Sequence, residues 1–65
     1  MPNLKQPLIE AAEYYERKAE YYRRKVENAT PDSRIQHEYR AAHQYNLGRA
    51  KAMREALEYI DEFLG

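Results

Sequence analysis

The two histidines are the first candidates for metal or acid–base chemistry in this chain of 65 residues. His37 and His43 lie six residues apart, about 240° of rotation on a helix, so they should point in different directions. We expect both to be solvated or close to the turn. A zinc-protease motif requires a second histidine four residues after His37, where Ala41 stands. The chain has no cysteine and no Glu-x-x-His pair of the kind found in bundle di-iron sites. The sequence therefore predicts no metal site and no cofactor.

A row of carboxylates is the next candidate for acid–base catalysis. Glu10, Glu13 and Glu16 are spaced by three residues, which places them on one side of a helix. Such a row is typical of a solvated face with partners four residues on, as Arg17 is for Glu13. Ser33 stands at a predicted helix start without an obvious base, and a helical hairpin offers little concave space for a substrate. We therefore expect that the protein is not an enzyme.

A row of tyrosine and arginine is the strongest binding signal. Tyr14, Arg17, Tyr21 and Arg24 are spaced by three or four residues and share one side of the predicted first helix. Both residue types are enriched in protein-binding hot spots, and both also stack on unpaired bases. The row predicts a protein partner. Packing against the second helix or a second copy, and nucleic-acid binding, are the alternatives.

Charge is unevenly distributed although eleven basic and eleven acidic residues cancel. Residues 34–54 carry five basic residues and one acid, whereas residues 55–65 carry four acids and no base. A hairpin would bring basic residues together at its turn, where they could contact phosphates: Arg23, Arg24, Lys25, Arg34 and Arg40. Zero net charge argues against a general polyanion binder. Self-assembly in which opposite ends of two copies meet explains the same distribution.

These candidates must be positioned by helices, because helix-forming residues dominate the composition and β-branched residues are few. Pro7 suits the first turn of a helix. Thr30 followed by Pro31 is typical of an N-cap and a first helical position. The sequence predicts a first helix over about residues 7–28 and a second over about residues 31–64.

The apolar spacing predicts how the two helices pack. The first helix carries an uninterrupted heptad seam with spacings of four and three: Leu8, Ala12, Tyr15, Ala19, Tyr22, Val26 and Ala29. The second helix carries two adjacent apolar rows, which predict more than one neighbour. One row is Ile35, Tyr39, Ala42, Asn46, Ala50, Met53, Leu57, Ile60 and Leu64. The other is Ala41, Tyr45, Gly48, Ala52, Ala56, Tyr59 and Phe63. The fold class is all-α, an antiparallel helical hairpin.

Two further features concern the second helix. A break at Gly48 would instead give a three-helix bundle, although no capping residue follows to start a third helix. If both helices are continuous, the first covers the second only to about residue 55. The apolar residues near and beyond this point would be exposed in a monomer: Met53, Ala56, Leu57, Ile60, Phe63 and Leu64. We expect them to mediate self-association into a homodimeric four-helix bundle.

The predicted function is that of a small non-enzymatic interaction module, a regulator or inhibitor that binds another protein through a helix face. A nucleic-acid-binding dimer and a structural assembly or scaffolding subunit are the alternatives. No apolar run approaches the ~20 residues of a membrane span, and residues 1–5 have no signal-peptide core. We therefore expect a cytoplasmic protein with no membrane contact.

Overall fold

The computed structural model describes residues 3–64 and contains two long α-helices, α1 (Lys5–Asn28) and α2 (Arg34–Phe63). Lys5 pairs with Asp61 at one end and Gln36 contacts Val26 at the other, so the helices are antiparallel. The hairpin measures 49 × 16 × 12 Å. The predicted all-α helical hairpin is confirmed. The three-helix alternative is wrong, because α2 continues through Gly48.

Helix α1 begins two residues before the predicted start. The Asn3 side-chain Oδ1 accepts a hydrogen bond from the Lys5 backbone N–H at 3.0 Å. This satisfies one of the N–H groups that the first turn of a helix leaves without a partner. Pro7 is the third residue of α1, where its missing N–H breaks no intrahelical bond.

The turn places the start of α2 three residues later than predicted. Ser33, rather than Thr30, caps the helix, since its Oγ accepts a hydrogen bond from the Gln36 N–H at 3.1 Å. Asp32 has a φ of 60°, in the left-handed region that Asp tolerates better than most residues. Because this conformation is not helical, α2 cannot begin before it.

A buried glutamine holds the turn against α1. The Gln36 Oε1 accepts a hydrogen bond from the Asp32 N–H at 2.9 Å, and its Nε2 donates to the Val26 carbonyl at 3.2 Å. Gln36 thus satisfies polar backbone groups of both the turn and the end of α1.

The seam of α1 agrees with the heptad prediction. Ala12 and Ala19 are buried, and the larger seam residues Tyr15, Tyr22 and Val26 are half-buried. The small alanine side chains allow the backbones of the two helices to approach each other.

The seam of α2 differs from the predicted row at its N-terminal half. The residues that pack against α1 are Gln36, Tyr39, His43, Asn46, Ala50, Met53, Leu57 and Ile60, with spacings of three and four. Gln36 and His43, which belong to neither predicted row, thus occupy seam positions, whereas Ile35 of the first row is 57% exposed. A strict alternation of three- and four-residue spacings keeps these positions against α1. The first predicted row lacks this strict alternation.

The polar seam residues form hydrogen bonds. The His43 Nδ1–H donates to the Ala19 carbonyl at 2.9 Å, across the two helices. The Asn46 Nδ2 donates to the Ala42 carbonyl at 2.7 Å. The expectation that both histidines are solvated is therefore wrong for His43, because a buried carbonyl of α1 supplies its partner.

The two helices overlap further than residue 55. Helix α1 begins earlier than predicted, and α2 begins later than predicted. The register between the two helices therefore shifts, and Lys5 pairs with Asp61. The expectation of a long uncovered end is wrong. Of the residues assigned to self-association, Leu57 is buried by α1, and three are half-buried: Met53, Ala56 and Ile60. Phe63 and Leu64 remain exposed.

Candidate protein-interaction site

The seam divides the surface of the hairpin into two lateral faces of different chemistry. We define the aromatic face by its exposed apolar side chains: Tyr14, Tyr21, Ile35, Tyr45, Tyr59 and Phe63. We define the ionic face by residues that form ion pairs: Glu16, Glu20, Arg23, Glu27 and Arg54. Spacings that are multiples of seven keep Tyr14 beside Tyr21 and Tyr45 beside Tyr59 on the same side of each helix.

The heptad repeat of α1 produces the same local arrangement twice on the aromatic face. The pattern Tyr-Tyr-x-x-Lys occurs at 14–18 and at 21–25. In the first copy the Tyr14 and Tyr15 rings pack edge to face at 5.2 Å, and the Lys18 Nζ lies 5.5 Å from the Tyr14 ring centre. In the second copy the corresponding distances are 5.1 and 5.2 Å. Each exposed tyrosine is thus held between a second ring and an ammonium group.

The predicted binding row lies together on the outer side of α1. Tyr14 and Tyr21 are 48% and 53% exposed, and the Arg17 and Arg24 side chains are each 71% exposed. Tyr14, Arg17 and Tyr21 line a depression of about 410 Å³. Arg17, Tyr21 and Arg24 line a neighbouring one of about 440 Å³. The row is therefore one continuous, accessible surface.

A groove between the helices was not predicted from the sequence. It has a volume of about 540 Å³ and is lined by Tyr14, Tyr15, Lys18, Tyr22, Ala41, Ala42, Tyr45 and Asn46. Beside it, the Arg49 guanidinium lies 5.3 Å from the Tyr15 ring centre. The duplicated Tyr-Tyr-x-x-Lys pattern was the available signal, but only the helix register shows which α2 residues adjoin it.

Tyrosines raise the pKa values of two cations in this region. The Tyr14 hydroxyl, through a hydrogen bond and its electrostatic effect, raises the pKa of Lys18. A hydrogen bond with Tyr15 likewise raises the pKa of Arg49. The aromatic face therefore presents positive charge next to its rings over the whole physiological pH range.

The arginines at the turn end of α1 are paired with carboxylates. Arg23 pairs with both Glu20 and Glu27, and the Arg24 Nε lies 3.2 Å from Glu20. The hydrogen bond from Arg23 is the main cause that lowers the pKa of Glu20 to about 2. Two residues predicted to contact nucleic acid are thus partly neutralised within the chain.

The remaining predicted nucleic-acid contacts have different surroundings. Arg34 pairs with Glu38 at 3.3 Å, and Lys25 lies over the Tyr21 ring. Arg40 is exposed. The turn end therefore presents a weaker positive surface than the residue counts predict.

The ion pair of Glu16 and Arg54 connects the two helices on the ionic face. The Arg54 Nε and Nη2 lie 3.1 and 2.8 Å from the two carboxylate oxygens of Glu16, a bidentate arrangement. This hydrogen bonding lowers the pKa of Glu16 and raises that of Arg54. The pair joins residues 38 apart in sequence and supports the register of the hairpin.

Comparison of the chain with models of protein families, with curated proteins and with solved structures gave no match. Within residues 3–64, no three potential metal ligands lie close enough together to hold an ion. In the same part of the chain, neither helix combines the length and the apolar character needed to cross a membrane.

Proposed function

We propose that the protein is a small non-enzymatic interaction module that regulates or inhibits another protein by binding it through the outer side of α1. The residues are those of the predicted row, Tyr14, Arg17, Tyr21 and Arg24. The observation that carries this proposal is the exposure of two tyrosines whose rings are already held in place by packing on Tyr15 and Tyr22.

Fixed rings favour binding because less side-chain freedom is lost when a partner docks. Ordering a flexible side chain costs about 0.5–1.5 kcal/mol on association. Tyr14 and Tyr21 avoid part of this cost, and each presents a large apolar ring with a polar hydroxyl. Arg17 and Arg24 lie beside them. Arg17, whose Nη1 is 3.9 Å from Glu13, can form a bidentate hydrogen bond with a carboxylate of a partner.

The second candidate function is nucleic-acid binding, favoured by the depression in which Tyr21 lies beside three cations, Arg17, Arg24 and Lys25. A ring flanked by positive groups suits a stacked base and its phosphates. Glu20 also lines this depression and pairs with Arg24, which opposes a phosphate there. The protein-binding function therefore has the stronger support.

Affinity capture with matched arginine variants tests the proposal. The double variant Arg17→Ala/Arg24→Ala removes the outer cations, and Arg40→Ala removes an exposed arginine of α2 as the control. A protein that binds the wild type and the control, identified by mass spectrometry and purified, should bind the double variant at least ~10-fold more weakly in calorimetry. Equal binding of all three proteins would contradict the proposal.

Salt dependence separates the two candidate functions. A protein partner bound through the outer side of α1 should retain most of its affinity between 50 and 500 mM NaCl, within about tenfold. A nucleic-acid ligand would lose affinity by several orders of magnitude over this range, because bound counterions are released from phosphates.

A further inference from the structure

We propose that the aromatic face is the docking site for a second copy of the chain, with the turns of both hairpins at the same end of a four-helix bundle. This surface lies beside the outer side of α1 and extends along α2. Tyr14 and Tyr21 belong both to this face and to the proposed partner site, so a second copy and a protein partner would compete for the two rings. Arg17 and Arg24 lie outside the face and act only in partner binding.

The hairpin alone has too small a core for two helices of this length. Among residues 3–64 the buried apolar residues are Ala12, Ala19, Ala50 and Leu57, and no large side chain is fully buried. Meanwhile six large apolar side chains are exposed on the aromatic face. A stable domain buries its apolar surface in one core between layers, and a second copy would supply the missing layer.

The dimensions of the face match those of a stable interface. A face of 49 by 16 Å covers roughly 800 Å², about the area that each partner buries in a standard protein–protein interface. Small residues lie between its large ones: Ala11 on α1, and Ala42, Ala52 and Ala56 on α2. They leave room for side chains of the second copy.

Contacts within the hairpin show which residues lie at the same level. Tyr22 packs near Tyr39, and Val26 lies level with Gln36. When the two turns share one end, a twofold axis parallel to the helices places α1 against α2 of the second copy at the same level. Three kinds of complementary pair result, and they involve Tyr21, Lys18 and Lys25.

Each of these three residues meets a suitable group. Tyr21 lies level with Ala42 of the second copy, so a large ring meets a small side chain. Lys18 lies level with Tyr45 of the second copy, a cation beside a ring. Lys25 lies level with Glu38 of the second copy, an ion pair of opposite charges.

The opposite arrangement, with turns at the two ends, brings like charges together. In that arrangement α1 lies against α1 of the second copy. If the two hairpins overlap over their whole length, the twofold axis passes near the middle of α1. The Lys18 ammonium groups of the two copies then meet, without a carboxylate of the aromatic face beside them. The uneven charge of the two ends opposes a shared turn end, but Arg23 and Arg34 are already paired with carboxylates of their own chain. The repulsion between the Lys18 groups inside the interface therefore favours the arrangement with both turns at one end.

Sedimentation velocity across a concentration series tests whether the second copy docks on this face. The wild type should show twice the 7.8 kDa chain mass at micromolar concentrations. Ala52→Arg places a charge on the aromatic face and should weaken dimerisation at least ~10-fold. Gln44→Arg adds the same charge to an exposed α2 position beside the ionic face, and should change it by less than about threefold.

A single spin label tests the orientation. The chain has no cysteine, so Thr30→Cys introduces one labelling site in the turn. In a bundle with neighbouring helices 8–10 Å apart, labels on turns at the same end should lie within about 30 Å of each other. Labels on opposed turns would be separated by about the 49 Å length of the hairpin.

Each outcome decides the proposal. A dimer weakened selectively by Ala52→Arg, with the short label distance, supports it. A monomer up to about 1 mM, equal effects of the two arginine variants, or the long label distance would overturn it. The double variant Arg17→Ala/Arg24→Ala should leave the dimer unchanged, so loss of partner binding and loss of dimerisation are separate results.

Discussion

The aromatic and ionic faces are built on the same two helices but satisfy their charged groups differently. On the ionic face, arginines pair with carboxylates of the same chain: Arg23 and Arg54. On the aromatic face, cations lie over tyrosine rings: Lys18, Lys25 and Arg49. Arg23 and Arg54 are thus paired within the chain, whereas the aromatic face keeps both apolar surface and positive charge available to a partner. The net charge of zero gives no indication of this difference between the two faces.

The largest expected effect comes from the seam, on which both faces depend. Leu57→Ala should lower the free energy of unfolding by about 2–3 kcal/mol, because it leaves a cavity between the helices. Leu47→Ala is the matched control, since Leu47 is 43% exposed, and should cost less than about 1 kcal/mol. Urea denaturation followed by circular dichroism, at one protein concentration, measures both. Equal losses of unfolding free energy in the two variants would mean that Leu57 contributes no more to stability than an exposed leucine.

The second largest effect is expected at the turn, where Gln36 joins the two helices. Gln36→Leu keeps the size of the side chain but removes the acceptor of the Asp32 N–H. It also removes one of two donors to the Val26 carbonyl, which keeps the Ala29 N–H at 3.4 Å. Leaving the Asp32 N–H without its acceptor should cost about 1–3 kcal/mol. Gln44→Leu, at an exposed position of the same helix, is the control and should change stability by less than about 0.5 kcal/mol. Hydrogen exchange should also accelerate at residues 26–36 in the Gln36 variant alone. Equal stability of the two leucine variants would contradict this role.

The sequence was sufficient for the fold class and for the seam of α1. Alternating alanine and tyrosine in strict heptad spacing left one interpretation of residues 8–29, and the structure agrees with it. Two seam residues of α2, Gln36 and His43, were missed because they are polar and such residues usually lie at the surface. Their partners, the Val26 and Ala19 carbonyls, belong to the other helix and are not visible in local spacing.

The division into two faces required the register of the hairpin, which the sequence did not specify. Local spacing placed Tyr14 beside Tyr21, and Tyr45 beside Tyr59, on their own helices. Whether the two tyrosine pairs lie on the same side of the hairpin depends on the turn. There Asp32 adopts a left-handed conformation, so α2 begins only after it. Contacts across the helices, such as that of Glu16 with Arg54, depend on the same register.

A smaller effect is expected from the ion pair that crosses the ionic face. A double-mutant cycle with Glu16→Gln and Arg54→Gln should give a coupling energy of about 0.2–1 kcal/mol, because both side chains are nearly half exposed. The coupling should decrease in 1 M NaCl, where charges are screened within about 3 Å. The same cycle with Glu38→Gln in place of Glu16→Gln is the control and should give no coupling, because Glu38 is distant from Arg54 and pairs with Arg34. A coupling that survives high salt unchanged would indicate packing rather than charge.

The smallest expected effect concerns how the stability contributed by each face depends on pH. The pKa of Glu20 is lowered from 4.5 to about 2, chiefly by its hydrogen bond with Arg23, so the folded state binds a proton less readily than the unfolded state. The stabilisation is therefore present above pH 4.5 and is lost as the pH falls towards 2. Thermal unfolding in this range should show a shallower loss of stability in Glu20→Gln than in the wild type. Tyr14→Phe, on the aromatic face, should keep the wild-type slope, because Lys18 stays charged throughout. If Glu20→Gln instead kept the wild-type dependence of stability on pH, the loss of stability in acid would not arise from the ionic face. The two faces would then differ in their contacts but not in their response to protons.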